Sequence, residues 1–426
     1  HGNCKKMARL KGPLHRTITA KAGHLALAIV SSSTCAGAIA QEVTYSGFGT
    51  VGVAASNKDY TYQRFITDNG TIKRDSVLGV QFDAKFSAQW SATLQAKVAP
   101  ALDDDGKWEA SAAWAFVSWR PSNEWLIRAG KVRLPLYLFS ENLDVGQSYE
   151  FVRMPTEMYS IAPTTDIAGL YVTRNWALDS GDLSLGVWSG RAPTLVQRTY
   201  SRDTGPVFIS VATRVTGGVL TLRAEDSTWR LGIHHANSGF NDDQIQAPAT
   251  LQNVPAGGPY NVYMPTASVR KFRNDIVTFG FDINLPDDWR LIGEFERNFQ
   301  RDIALGANTA GGYLSVLRKM DRITPYVTVA SLKTVGATAR TRQDIADVVA
   351  PPLFEADQRQ LLDSIPFYDQ YSLSLGASYA LTPQSKLKGE WMHTWINKGS
   401  AMVDSPAGAA PVSNDTIDVL SLSYNF

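Results

Sequence analysis

Asn414–Phe426 reads NDTIDVLSLSYNF. From Val419 onward the residues alternate: Leu420, Leu422, Tyr424 and Phe426 fall on one face, and Val419, Ser421, Ser423 and Asn425 on the other. A period of two is the period of a β-strand, whose successive side chains point to opposite faces. One face here is apolar and aromatic throughout and the other is mostly small and polar, so the strand meets a different solvent on each side.

The same alternation recurs along the chain. Leu78, Val80, Phe82, Ala84 and Phe86 interleave with Gly79, Gln81, Asp83 and Lys85, and Trp90, Ala92, Leu94, Ala96 and Val98 with Ser91, Thr93, Gln95 and Lys97. Val277, Phe279, Phe281 and Ile283 follow the pattern, as do Tyr371, Leu373, Leu375, Ala377, Tyr379 and Leu381. In all, the pattern predicts strands near 43–54, 76–86, 90–99, 109–119, 124–131, 167–177, 182–189, 218–224, 228–237, 275–284, 289–299, 311–319, 324–333, 370–381, 386–397 and 415–426. That is an even number, sixteen, with mixed faces near 109–119, 167–177 and 324–333, and with room for one strand or two in 191–224.

The connections are of two kinds. Pro121-Ser122-Asn123, Asp179-Ser180-Gly181, Leu285–Asp288 and Thr382–Ser385 are tight turns. Long polar loops alternate with them, near 55–75, 100–108, 132–166, 190–217, 238–274, 300–310, 334–369 and 398–414. Such sorting is the asymmetry of a membrane barrel with short turns on one side and long loops on the other. No stretch after residue 40 has the roughly 18 or more consecutive apolar residues of a transmembrane helix. In hydrocarbon every backbone N–H and C=O must be paired, so a sheet can cross only when closed. The first strand, with Gly47, Gly49 and Gly52, must then pair with the last, its glycines suiting a tightly packed seam. Aromatics gather at strand ends (Trp90, Trp108, Trp119, Trp125, Trp176, Trp289, Trp391, Trp395, Tyr424, Phe426), as rings at two headgroup levels would.

The N-terminal segment stands apart. Residues 1–21 carry Lys5, Lys6, Arg9, Lys11, Arg16 and Lys21 with no acidic residue; an apolar run Ala22–Val30 and Ala38-Ile39-Ala40 follow. This reads as a secretory signal peptide over 1–40, with Met7 a plausible start and residues 1–6 extra. A lipidated Cys35 is the alternative, but Ser32-Ser33-Thr34 lacks the pattern such sites use. Cleavage after Ala40 leaves 35 basic and 40 acidic residues from the 41 and 40 of the whole chain, a net charge of −5. Neither the charge nor its distribution suits nucleic acid. Both cysteines, Cys4 and Cys35, leave with the leader, which removes disulfides and thiolate metal sites from the reading.

A terminal strand ending in an aromatic resembles the closing strand and assembly signal of Gram-negative outer-membrane β-barrels. Leader, glycine-rich first strand, sixteen strands, a long loop after the fifth and the final Phe426 together resemble the proteobacterial trimeric porins, over essentially all of residues 41–426. The resemblance implies an all-β fold, a 16-stranded antiparallel transmembrane β-barrel with short periplasmic turns and long extracellular loops. It also implies a homotrimer in the outer membrane among lipid and lipopolysaccharide, recognition by the barrel-assembly machinery through Phe426, and passage of small hydrophilic solutes, without a cofactor. In that family the third long loop folds back into the barrel and narrows the pore.

The corresponding segment here is Val132–Asp166, whose Leu134, Leu136, Tyr137, Leu138, Phe139, Phe151, Met154, Met158 and Tyr159 need an apolar partner that the inner wall would supply. Its Glu141, Asp144, Glu150 and Glu157 would project into the lumen, facing Lys97 and Arg128 on the wall, with Lys131, Arg133 and Arg153 at the loop's ends. Strands two to four carry no run of arginines, a departure from the family that leaves ion selectivity open. Charges elsewhere (Arg290, Glu294, Glu296, Lys386, Lys388, Glu390) fall on the lumen face; Arg297 and His393 fall on the lipid face near strand ends.

Catalytic signatures are absent from the sequence: no G-x-S-x-G, Walker loop or H-E-x-x-H. His234 and His235 point to opposite faces of a strand and cannot share a metal, and Asp103-Asp104-Asp105-Gly106 reads as a solvated loop tip before it reads as a calcium loop. The alternatives are a substrate-selective porin for anions such as phosphate, organic acids or sugars; a secreted soluble β-sandwich that binds glycans; and a membrane-embedded hydrolase using His393.

Overall fold

The computed structural model describes residues 42–162 and 164–426, so the leader expectation for residues 1–40 lies outside the described residues. Sixteen strands close into one antiparallel barrel. In chain order they are β1 Glu42–Ser56, β2 Val77–Lys85, β3 Trp90–Pro100, β4 Trp108–Trp119, β5 Trp125–Arg133, β6 Asp166–Leu178, β7 Gly181–Ser201 and β8 Gly205–Ala224. The second half comprises β9 Ser227–Phe240, β10 Lys271–Leu285, β11 Trp289–Arg301, β12 Thr309–Arg318, β13 Ile323–Thr334, β14 Tyr368–Thr382, β15 Ser385–Ser400 and β16 Asp415–Asn425. Each expected strand is present.

Closure is made by β1 against β16, from Thr50 opposite Asn425 to Ser56 opposite Val419. Phe426 completes the seam, its N–H donating to Gly49 O at 3.0 Å and its C=O accepting from Gly49 N at 2.8 Å. Its ring lies over Gly49, where a Cβ would stand 2.6 Å from the ring edge. A side chain there would push the Phe426 ring and Leu78 aside, whereas at Gly47 a Cβ would meet nothing nearer than Gly79 O at 3.8 Å.

The barrel wears its apolar side chains outside. Leu231, Phe279, Phe295, Val329, Leu420 and Leu422 are exposed, while the inward neighbours Thr278, Glu294, Ser315, Thr328, Ser421 and Ser423 are buried. A water-soluble core cannot be built this way round; the outward belt belongs in lipid. Trp90 and Trp119 stack at 5.8 Å beside the short-turn ends of β3 and β4, and Trp125, Trp229, Trp289, Tyr424 and Phe426 are exposed near the same end. The three-residue turn between Leu285 and Trp289 has Asp287 and Asp288 at φ 59° and 61°, left-handed conformations that reverse the chain tightly.

The long-loop side differs from the polar loops expected. Segment 190–217 is a hairpin: β7 and β8 run on to Ser201 and Gly205, well beyond the other strands. Segment 238–274 contains a second hairpin, Ala247–Pro255 with Asn261–Val269. Segment 334–369 contains two helices, α1 Ala337–Ala346 and α2 Glu355–Asp363. The first loop, 57–76, turns inward: Tyr62 and Ile66 are fully buried with Ile396, Val403, Ile417 and Val419, and Tyr62 Oη lies 3.2 Å from Thr394 Oγ1.

Candidate functional site

The third loop, 134–165, lies inside the barrel. Its apolar residues Leu134, Leu136, Tyr137, Phe139, Phe151, Met154 and Met158 are buried with Ile292, Tyr313, Leu317, Tyr326 and Ala330 of the far wall. Phe151 is edge-on to Tyr326 at 5.1 Å and to Tyr313 at 6.4 Å. Each large side chain so buried contributes about 1.5–3 kcal/mol relative to exposure, which offsets the entropy of ordering a segment this long.

Polar tethers set its position. Glu294 on β11 accepts from Leu138 N at 2.7 Å, Tyr159 Oη at 2.5 Å and Tyr313 Oη at 2.8 Å. Neighbouring Glu296 accepts from Tyr137 Oη, and Arg230 on β9 donates to Tyr137 O at 2.6 Å. On the opposite side Lys388 of β15 donates to Gly146 O at 2.6 Å and Phe151 O at 2.8 Å. Gly146 itself presses on the seam: a Cβ there would overlap Asn425 Oδ1 and lie 2.5 Å from Thr50 Oγ1.

Five of the expected site residues gather on one side of the lumen. Asp144 accepts from Lys97 Nζ at 2.9 Å and from Arg133 Nη2 at 2.6 Å, and Glu141 accepts from Arg128 Nη1 at 3.2 Å. Burial alone would raise Asp144; the two cations beside it outweigh that and hold it at about 2. Arg128 also lies over the rings of Phe116 and Tyr171. The other four lie apart. Glu150 pairs with Lys386 at 2.7 Å and accepts from Ser378. Arg153 grips Asp75 with two bonds, 2.9 and 2.7 Å, and donates to Ser421 at 2.8 Å. Glu157, 1% exposed, accepts from Gln370 at 2.9 Å within packed side chains. Lys131 alternates with Arg128 onto the other face of β5 and pairs with Asp166 at 3.2 Å.

Sequence reasoning left Asp75 and Arg230 unassigned and placed Lys388 on the lumen face without a role at the loop. Asp75 and Arg230 carry no local signal, since their partners are 78 and 93 residues away. Asp105 is held by Arg64 at 2.5 Å and Arg198 at 2.9 Å and Asp104 by Lys107 at 2.8 Å, and no group of metal ligands occurs among the described residues. His234 is inside, stacked on Trp188 at 5.3 Å; His235 is outside with Asp275 at 2.7 Å. His393 is on the outer face between Trp391 and Trp395, its Nδ1 2.7 Å from Asp418 Oδ1.

Two cavities flank the third loop. One, about 550 Å³, opens at the short-turn side along β2–β5; the other, about 490 Å³, lies on the long-loop side between the first and third loops.

Solved structures share this architecture. In-vitro folded OmpT of Vibrio cholerae, in a trimer form, aligns with TM-score 0.51 and 12% identity over 91% of this chain and 100% of that chain. OmpF of Salmonella typhi, in complex with daunomycin, aligns with TM-score 0.51 and 12% identity over 90% and 97%. The fold is that of an outer-membrane porin. The likeness is architectural: no family model matches the sequence, and no curated protein matches it. Within this porin fold, the short turns face the periplasm and the long loops the exterior.

Proposed function

We propose that this chain is an outer-membrane channel through which small hydrophilic solutes and ions diffuse passively, with the third loop as its constriction. The observation that carries the reading is the third loop's position across the lumen, with Asp144 and Glu141 set against Lys97, Arg133 and Arg128. Paired charges along one side of a narrow water-filled passage give polar solutes a wall to bond to and penalise apolar ones. We include in the proposal a homotrimer, as in the OmpT trimer form, set among lipid and lipopolysaccharide, and delivery to the membrane through recognition of Phe426.

Single-channel conductance of the refolded protein in a planar bilayer tests this. Steps grouped in threes, with a reversal potential in a salt gradient that moves when Glu141 and Asp144 are neutralised together, are expected. Folded, inserted protein without conductance would overturn the reading. A substrate-selective channel is the second reading, favoured by the arginines of the outer cavity.

A further inference from the structure

The cavity above the third loop carries four arginines, Arg64, Arg74, Arg153 and Arg198, against two carboxylates, Asp75 and Asp144. Both carboxylates are taken, Asp75 by Arg153 and Asp144 by Lys97 and Arg133. Arg64 and Arg198 are held by Asp105, and Arg198 by Asp404 as well. Arg74 is different. Its Nε donates to Gln63 Oε1 at 3.3 Å, and among the described residues it makes no ion pair. Burial and the neighbouring Arg153 guanidinium pull it down to about 10, so it stays charged at neutral pH, and the one carboxylate near enough to act on it, Asp75, is already paired with Arg153.

Three further polar atoms in this wall lack partners among the described residues: Gln63 Nε2, Arg153 Nη1 and Thr156 Oγ1. Their residues are 5%, 7% and 4% exposed. A buried donor left unsatisfied is destabilising, more so when charged. Water in the cavity would satisfy the donors, but it would not cancel the charge on Arg74. The backbone is also bent to present this wall. Gln63 and Arg64 sit at φ 47° and 76°, the left-handed region, which strains residues that carry a Cβ. They are held there by Gln63 N on Met402 O at 2.8 Å and by mutual hydrogen bonds of Tyr62 and Ile66. Strain of this kind collects where a side chain must be aimed.

The remaining lining is largely apolar and aromatic, including Phe65, Tyr149 and Met154. We propose that this cavity binds a small organic carboxylate with an apolar body, its carboxylate on Arg74, Arg153 Nη1 and Gln63 Nε2, its body against Phe65 and Tyr149. An inorganic phosphate would bring a second charge beside Asp75 and Asp144 and leave the aromatic wall bare. That the bound acid is a transported solute rests on the channel reading; the site itself rests on the geometry.

Isothermal titration of the refolded full-length protein in detergent, with benzoate, benzyl alcohol and inorganic phosphate, tests the site. Benzoate is expected to bind at least tenfold more tightly than benzyl alcohol, the equivalent of about 1.4 kcal/mol for the charge. Arg74→Gln should weaken benzoate by about tenfold or more and leave benzyl alcohol unchanged. Gln63→Asn, which tolerates the left-handed backbone but withdraws the amide by one methylene, should weaken benzoate as well. Unboiled electrophoretic migration checks that each variant is folded. Equal affinity for benzoate and benzyl alcohol, or benzoate affinity unaltered in both variants, would overturn the site, and phosphate binding more tightly than benzoate would overturn its apolar half. Conductance without benzoate binding removes this site and leaves the channel; benzoate binding without conductance does the reverse.

Discussion

Asp144 is the residue on which the charge balance of the constriction turns. Its two cations are differently placed: Lys97 is 22% exposed, Arg133 only 3%, and Arg133 Nε and Nη1 already lack partners among the described residues. Asp144→Asn therefore strands a buried guanidinium, weakening the loop's attachment by on the order of 3 kcal/mol, and leaves excess positive charge in the lumen. The reversal potential in a salt gradient should move toward anion preference. Acid should act through the same group. A carboxylate held at about 2, against an ordinary value of about 4, contributes stability that is present above pH 4 and is lost as pH falls from about 4 through 2. Asp75 and Glu150 are also held low, since their partners Arg153 and Lys386 outweigh the burial that would raise them. Open-channel current should be steady from pH 7 to about 3 and alter as pH falls toward about 2, with a smaller change in Asp144→Asn. Gly146→Val, by contrast, leaves every charge in place and displaces the loop tip from Asn425 and Thr50. Altered conductance with unaltered selectivity is the expected pair of readings.

At the scale of the element, the third loop is fastened separately from the sheet. Glu294→Leu would orphan the Leu138 N–H and the hydroxyls of Tyr159 and Tyr313, each worth about 1–3 kcal/mol. None of those bonds belongs to a strand ladder. Current traces should gain rapid closures while the temperature at which the folded band disappears in electrophoresis changes little. The loop's place inside the barrel was legible, because nine apolar residues in a connection demand a wall. Its detailed seat was not, because Asp75, Arg230 and Lys388 come from elements that only closure brings near. The membrane strands were legible for a related reason: lipid on one side imposes alternation, as in Val277–Ile283 and Leu420–Phe426. Where β7 and β8 leave the lipid both faces mix apolar and polar residues, and Leu195–Ser201 lost its alternation and read as loop. The inward fold of the first loop turns on two residues, Tyr62 and Ile66, too few to separate from ordinary loop composition.

For the whole molecule, the deciding asymmetry is lipid outside and water within. Val329, half exposed on the outer face of β13, and Thr93, bonded to Asp83 at 2.6 Å on the inner face of β3, make a matched test. Val329→Arg should cost about 2–4 kcal/mol in refolding into bilayers. Thr93→Arg should be nearly neutral, because the new cation meets water and Asp83. Denaturant titration in phospholipid vesicles separates the two, and similar losses would contradict the assignment of faces. The third loop leaves from β5, yet its seat is completed by β15, β16 and β1 through Lys388, Ser421, Asn425 and Thr50. Those strands come together only when the last one zips to the first, and contacts so distant in sequence form late. The gate is thus installed by the same event that completes the wall. A half-built molecule has only part of the seat to offer it, and a finished one spares the cell an interval as an unguarded hole.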